Sequence, residues 1–166
     1  TIGGGDTNFT ASVWETIGGG HNNVTAAGNS TVAGGTGNLA SGSGSTIGGG
    51  NGNTASATSS SVGGGQSNTA SGANARVGGG GSNSVVAANG VISGGLTNAI
   101  AVTAANGVIP GGLWGFAELY GQLAHGAGRF SVIGDAQTSE LIWRIKTTGV
   151  TQTEMFLDGA SVRAVL

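Results

Sequence analysis

Residues 1–5 read TIGGG, and the same five letters return at residues 16–20 and 46–50. Near copies stand between and after them: TVAGG at 31–35, SVGGG at 61–65, RVGGG at 76–80, VISGG at 91–95 and VIPGG at 108–112. A glycine-rich loop can bind an anion through its backbone N–H groups, but one site needs only one such loop. The eight copies therefore indicate a repeated structural unit.

The unit is 15 residues long, and two kinds of residue keep its register. The first is a β-branched residue before the glycines: Ile2, Ile17, Val32, Ile47, Val62, Val77 and Ile92. The second is an asparagine: Asn8, Asn23, Asn38, Asn53, Asn68, Asn83 and Asn98. An eighth unit, around Ile109, follows a two-residue insertion within residues 99–107, so we expect a repeat domain over residues 1–112.

Short runs of β-branched and small polar residues on both sides of the glycines predict two short strands and two turns in each unit. Successive units would stack at about 4.8 Å, the spacing of paired strands. The Ile and Val residues would then form a core, and the asparagine side chains would form a ladder of amides. The predicted fold is all-β, a stacked β-roll or parallel β-helix.

The glycines mark a corner in every unit. The first place after the β-branched residue holds Ala33, Ser93 or Pro110 in some units, which indicates that a side chain is tolerated there. The next two places hold glycine in all eight units, which predicts a positive φ or a backbone too close to its neighbour for a Cβ. These corner glycines include Gly4, Gly5, Gly19, Gly20, Gly49, Gly50, Gly64, Gly65, Gly79 and Gly80.

Each unit offers little apolar surface to a core, because the chain has 37 glycines and only 5% aromatic residues. Burial against neighbouring chains would supply what a single coil lacks. We therefore expect a homotrimer in which the thin corners meet near a common axis.

The second segment, residues 113–166, has a denser composition. Its aromatic residues are Trp114, Phe116, Tyr120, Phe130, Trp143 and Phe156. Alternating residues at 140–146 and the Asp158-Gly159 turn predict a small antiparallel β-meander, with residues 129–134 as an earlier strand. Residues 116–126 fit either a short helix or a continuation of the coils, and their glycines favour the coils.

The charge pattern argues against nucleic acid and anionic membranes as partners. The formal net charge is −2, and the five Lys and Arg residues are scattered. No apolar run reaches the length of a membrane span, and cysteine is absent. The chain begins inside a unit and stops in a predicted strand, so we expect it to be part of a longer protein.

We expect no enzymatic activity and no cofactor. Asp135 and Glu140 are the most suggestive pair of carboxylates for a glycosidase, but a turn and a strand edge explain them more simply. His21 and His125 are too few for a metal site in one chain. Three copies of His125 around a threefold axis would bind a metal or an anion, and a surface or core histidine is the simpler alternative.

Two further surface hypotheses have simpler alternatives. A threonine face that binds ice is interrupted at Ser61, Arg76 and Val91. The aromatic residues of the second segment would stack on sugars if a fibre tip binds glycans, whereas packing in the core of the meander explains them more directly. Trp14 and Glu15 interrupt the small-residue pattern, and we expect both at the surface.

The unit S-T-(V/I)-G-G-G-x-x-N-T-A-S-G resembles the β-roll head repeats of bacterial trimeric autotransporter adhesins. It is more similar to the glycine-rich repeats of bacteriophage tail fibres. Residues 120–159, from YGQLAHG to MFLDG, resemble a segment that follows such repeats in phage fibres and leads toward receptor-binding or chaperone regions.

The resemblance implies the shaft and neck of a homotrimeric tail fibre in the virion. Its partners would be other virion tail proteins and, through a region beyond this chain, a glycan or protein of the host surface. One alternative is the head of a trimeric autotransporter adhesin on a bacterial cell surface. Another is a tailspike that depolymerises polysaccharide, which would need acidic clusters that the repeats lack.

Overall fold

The computed structural model describes residues 1–128 and 136–140. The chain winds into about eight stacked coils, and each coil adds a short strand to each of two parallel sheets. The predicted all-β fold of stacked coils is thereby confirmed. The described residues include no helix long and apolar enough to cross a membrane. The β-meander was predicted mainly for residues 141–166, with an earlier strand at residues 129–134, and both ranges lie outside the described residues.

The strands of each sheet follow one another coil by coil. The eight-stranded sheet contains β1 (Phe9–Thr10), β3 (Val24–Thr25), β5 (Leu39–Ala40), β7 (Thr54–Ala55), β9 (Thr69–Ala70), β11 (Ser84–Val85), β13 (Ala99–Ile100) and β16 (Phe116–Ala117). The ten-stranded sheet contains β2 (Thr16–Ile17), β4 (Thr31–Val32), β6 (Thr46–Ile47), β8 (Ser61–Val62), β10 (Arg76–Val77), β12 (Val91–Ile92), β14 (Val108–Ile109), β17 (Leu123–Ala127), β15 (Gly112–Leu113) and β18 (Gln137–Glu140).

A third column of parallel bridges runs along the remaining side of the stack. It contains Asp6, His21, Thr36, Asn51, Gln66, Gly81, Leu96 and Leu113. Backbone hydrogen bonds join the coils on all three sides, and this matters because parallel strands of two residues have few bonds of their own.

The two-residue insertion lies in one turn and leaves the stacking intact. Val91 pairs with Val108 across it. The extra residues form a second turn, in which Ala104 N–H donates to Ala101 O at 3.0 Å and Gly107 N–H donates to Ala104 O at 2.9 Å. The stack also continues past the predicted boundary at residue 112, because Ala99 pairs with Phe116 in parallel and Val108 pairs with Leu123. Residues 116–126 therefore form strands and not a helix.

Each coil encloses its own core. The fully buried Ile and Val side chains before the corners are Ile17, Val32, Ile47, Val62, Val77, Ile92 and Ile109. Ile2, predicted to be in this core, is 44% exposed because it lies in the first coil, at the end of the stack. One chain thus buries the side chains that we expected neighbouring chains to cover, and the trimer stays a prediction.

In two coils a large core residue is matched by a glycine. Where the inward residue of the eight-stranded sheet is large, as at Val85 and Ile100, the residue before the next strand is glycine. A Cβ on Gly90 would lie 2.6 Å from Val85 Cγ1, and a Cβ on Gly107 would lie 3.2 Å from Ile100 Cγ2. These glycines are therefore explained by the packing of the core.

The corner glycines have unequal roles. Gly65 has a φ of 88°, and a Cβ on it would collide with the carbonyl oxygen of Gly80 in the next coil. For Gly64 the nearest atom to a built Cβ is 3.9 Å away, so the expected close approach is absent there. The place before them is also less tolerant than expected, because a Cβ on Gly48 would collide with the oxygen of Gly63. Ala33, Ser93 and Pro110 nevertheless occupy this place in other coils.

In most coils, one or both turns also use a left-handed residue that is not glycine. Twelve such residues in the described part of the chain have φ between 53° and 64°. They are Thr7, Asn22, Ser67, Ser82, Thr97 and Trp114 in the corner turn, and Trp14, Asn29, Ser59, Asn74, Asn89 and Asn106 in the other turn. Asparagine is the side chain that best tolerates this conformation. The turns therefore contribute backbone constraints that the glycine pattern alone did not reveal.

Candidate functional site at the C-terminal end of the coil stack

The predicted asparagine residues lie in one column inside the stack. Each side-chain oxygen accepts the backbone N–H of the next asparagine, as Asn53 Oδ1 does from Asn68 at 2.9 Å. Each side-chain N–H₂ group donates to two corner carbonyls, as Asn68 Nδ2 does to Gly64 O and Gly80 O, both at 2.9 Å. The column thus ties every corner to the coils above and below it. Asn8, in the first coil, is the partly exposed member.

The ladder ends at the C-terminal side of the stack. Gly115 stands where the next asparagine would be, and its N–H donates to Asn98 Oδ1 at 2.7 Å. A Cβ on Gly115 would lie 3.0 Å from that same oxygen. The last coil therefore bonds to the final asparagine of the ladder but contributes no asparagine of its own.

A side chain closes the open edge of the eight-stranded sheet. Gln137 Oε1 accepts the N–H of Phe116 at 2.7 Å, and Gln137 Nε2 donates to the carbonyl oxygen of Phe116 at 2.7 Å. The amide thus pairs with β16 in the way that a further strand would. In the other sheet, β18 pairs with β17 in antiparallel register, with Gln137 opposite Gly126. We call residues 136–140 the cap.

A second glutamine supports the cap from inside the coil. Gln122 is buried, and its Oε1 accepts the N–H groups of Glu118 at 2.8 Å and Leu119 at 3.1 Å. Its Nε2 donates to Ser139 Oγ at 2.8 Å. Gln137 Nε2 also donates to Ser139 Oγ, at 3.2 Å. This network joins the last turn of the stack to the cap.

The first coil has a comparable buried polar side chain. Glu15 was expected at the surface but is 2% exposed. Its Oε2 accepts the N–H of Ser12 at 2.6 Å, and Ser30 Oγ donates to its Oε1 at 3.4 Å. These bonds supply the polar partners that a buried carboxylate needs. Trp14 is 80% exposed, as expected.

The surface of the stack differs between its middle and its ends. Residues 16–117 contain no Asp or Glu, and their only Lys or Arg is Arg76. No large apolar side chain between Trp14 and Val86 is exposed. Exposed apolar residues occur in the first coil and from Val86 onward: Ile2, Phe9, Val13, Trp14, Val86, Leu96, Val102, Leu113, Leu119 and Tyr120. The middle coils thus offer little to a partner compared with the ends.

The residues proposed for chemistry are not assembled into a cluster in the described part. His21 Nε2 lies 3.8 Å from Asp6 Oδ2, with both side chains exposed. His125 is exposed on β17 opposite Thr138. Residues 1–128 and 136–140 contain no group of three or more His, Cys, Asp or Glu side chains that could hold a metal ion. Asp135, the suggested partner of Glu140, lies outside the described residues.

The aromatic residues of the second segment take up different positions. Phe116 belongs to the capped strand and is half-buried, whereas Tyr120 is 72% exposed in the last turn. Thr103 Oγ1 donates to Glu118 O at 2.7 Å and so holds the inserted turn beside that last turn. Phe130, Trp143 and Phe156 lie outside the described residues.

Sequence reasoning missed Gln122 and Gln137. Gln122 had a detectable signal, because it occupies the same place in its coil as Glu15 and Ser30, where a long polar side chain is unusual. Gln137 had no detectable signal in the sequence, because its partner Phe116 is 21 residues away and in another strand.

The fold and the capped end define the chain as a parallel β-solenoid with a closed C-terminal end. No protein-family model matches the chain, and no curated protein matches it in sequence.

Proposed function

We propose that this chain is a structural, non-enzymatic protein: the shaft and neck of a homotrimeric phage tail fibre that holds a receptor-binding tip away from the virion. The observation that carries the proposal is the contrast along the stack. The middle coils are almost uncharged and expose no large apolar side chain, whereas the ends carry apolar residues and the cap. A spacer needs an inert, regular middle and specific ends.

Repetition supports the same function. Each coil is bonded mainly to its two neighbours, so coils can be added or removed without changing the ends. The length of the stack is then set by the number of units. This property suits a shaft, whereas an enzyme would require distinctive residues at one level of the stack.

The function is tested by deletion in an intact fibre. Removal of residues 47–61, one full unit, should leave folding and adsorption to host cells nearly unchanged, because every later strand keeps its register. Removal of seven residues from the same place should abolish assembly, because it moves core residues out of register. Particles that carry each fibre are compared by adsorption and by electron microscopy. Loss of adsorption in the 15-residue deletion, with the fibre still assembled, would place recognition in the repeats and contradict the spacer function.

The trimer belongs to this proposal and has a separate test. Because each chain encloses its own core, three complete stacks would pack side by side rather than share one core. Sedimentation equilibrium should give three times the mass of one chain. A folded monomer at micromolar concentration would contradict the trimer without affecting the coil stack.

A further inference from the structure

We infer that Asn89 and Asn106 are sites of spontaneous modification in the folded protein. In each case the backbone nitrogen of the following glycine attacks the side-chain carbon Cγ, the Cγ–Nδ2 bond breaks, and ammonia leaves. The product is a cyclic imide, which water opens to aspartate or isoaspartate. The reaction needs only water as a co-reactant, and it does not depend on the proposed function in a fibre.

The packing of the coils itself produces Asn-Gly sequences in this turn. Asparagine suits the left-handed residue, which has a φ of 61° at Asn106. The next residue is glycine where the core residue is large, since a Cβ on Gly107 would lie 3.2 Å from Ile100 Cγ2. The same arrangement occurs one coil earlier at Asn89 and Gly90. A glycine nitrogen is the least hindered nucleophile because the residue has no Cβ.

The same turn contains an asparagine that lacks the reactive neighbour. Asn74 has a φ of 57°, but Ala75 follows it. The N–H groups of Ala75 and Gly107 are held alike, since each donates to the carbonyl three residues earlier, at 3.0 Å and 2.9 Å. The Cβ of Ala75 is therefore the main difference between the two places.

A second, exposed ladder of amides prepares both sites for attack. Asn74 Nδ2 donates to Asn89 Oδ1, and Asn89 Nδ2 donates to Asn106 Oδ1, both at 3.1 Å. A donor on the carbonyl oxygen stabilises the negative charge that develops there when a nucleophile attacks the carbon. Each reactive asparagine thus receives a hydrogen bond at the atom that needs it.

The remaining Asn-Gly sequence lies in the corner turn and has a different environment. Gly52 N–H donates to Thr36 O of the preceding coil at 2.9 Å, so attack on Asn51 would break a bond between coils. No side chain in the described part of the chain donates to Asn51 Oδ1. The structure therefore separates Asn51 from the two asparagines of the other turn, although all three precede glycine.

Modification would change the surface of the last coils. Residues 16–117 contain no Asp or Glu, so each reaction adds a negative charge to a stretch that has none. At Asn106 a carboxylate oxygen can still accept from Asn89 Nδ2, and that bond becomes charge-assisted. At Asn89 the reaction removes the donor to Asn106 Oδ1 and places two acceptors against each other.

The test compares the folded full chain with the same chain unfolded in denaturant, where only local sequence matters. Peptide mapping by mass spectrometry follows the replacement of NH₂ by OH at each asparagine in mildly alkaline buffer. The three Asn-Gly sequences should react at similar rates when unfolded. In the folded protein, Asn89 and Asn106 should react at least about tenfold faster than Asn51, which is about 1.4 kcal/mol in activation free energy. Asn74 should be slow in both states.

A substitution tests the role of the exposed ladder. Asn89→Gly removes the donor to Asn106 Oδ1, and Gly44 shows that this place accepts glycine, with a φ of 67°. The reaction at Asn106 should slow by about threefold or more. Asn74→Gly is the matched control, because Asn74 bonds to Asn89 and not to Asn106, and the rate at Asn106 should not change.

Two results in the folded protein would overturn the inference. One is a reaction at Asn51 as fast as that at Asn106. The other is an unmodified Asn106 under conditions in which the unfolded chain reacts. An unchanged rate at Asn106 in Asn89→Gly would contradict the assistance by the ladder. Circular dichroism before and after incubation verifies that each protein is folded.

Discussion

At the scale of single residues, the corner shows why glycine occurs for more than one reason. Gly65 needs its positive φ and also lies against the backbone of the next coil. Gly64 satisfies neither condition, but Gly49 and Gly111, which occupy the same place in other coils, have φ of 149° and 153°. The repeated units show from sequence alone that both places hold glycine. Because every unit has glycine there, the sequence cannot tell whether a positive φ or a lack of room for a Cβ is the reason.

The two glycines should respond differently to alanine. Gly65→Ala should lower the free energy of unfolding by about 2 kcal/mol or more, because it adds left-handed strain to a collision with Gly80 O. Gly64→Ala should change it by less than about 1 kcal/mol, since the nearest atom to its Cβ is 3.9 Å away. Thermal unfolding of the two purified variants makes the comparison. Equal shifts in melting temperature would show that the last corner glycine is not the restrictive one.

At the scale of elements, the asparagine ladder acts on several coils at once. The Asn68 side chain donates to Gly64 O and Gly80 O and accepts two bonds from Asn83. Asn68→Ala removes all four bonds inside a buried column and leaves their partners unsatisfied. We expect a loss of about 3 kcal/mol or more in the free energy of unfolding.

The control for Asn68→Ala is Gln66→Ala, two residues earlier on the exposed side of the same coil. Its effect should stay within about 0.5 kcal/mol. Chemical denaturation of both variants gives the two values. A small effect of Asn68→Ala would mean that water replaces the amide and that the ladder contributes little.

How far the sequence predicts these elements depends on repetition. The strands around Ile47 and the ladder at Asn53 could be predicted because each recurs every 15 residues and so reports one local structure several times. The cap could not, since Gln137 occurs once and acts on a strand 21 residues away. The burial of Glu15 also escaped prediction, because its partners are a backbone N–H and a serine of the next coil, which spacing alone does not identify.

At the scale of the whole molecule, the ends differ in kind. The last coil is covered by β18 and by the Gln137 amide, and the first coil exposes Phe9, Val13 and Trp14. Residues 16–117 lie between them, and Arg76 is the one Lys, Arg, Asp or Glu in that stretch. The stack therefore has a regular, nearly uncharged middle, and its distinctive residues lie in the coils on either side of that middle.

The most direct test of this account is the length of the stack after units are added. Duplication of residues 31–90, four units, should lengthen the particle by about 19 Å along one axis at an unchanged cross-section, because each added coil contributes the spacing of paired strands. Small-angle X-ray scattering of the purified protein measures both quantities. An increase in cross-section without the increase in length would contradict the claim that each 15-residue unit is one coil of a rigid spacer.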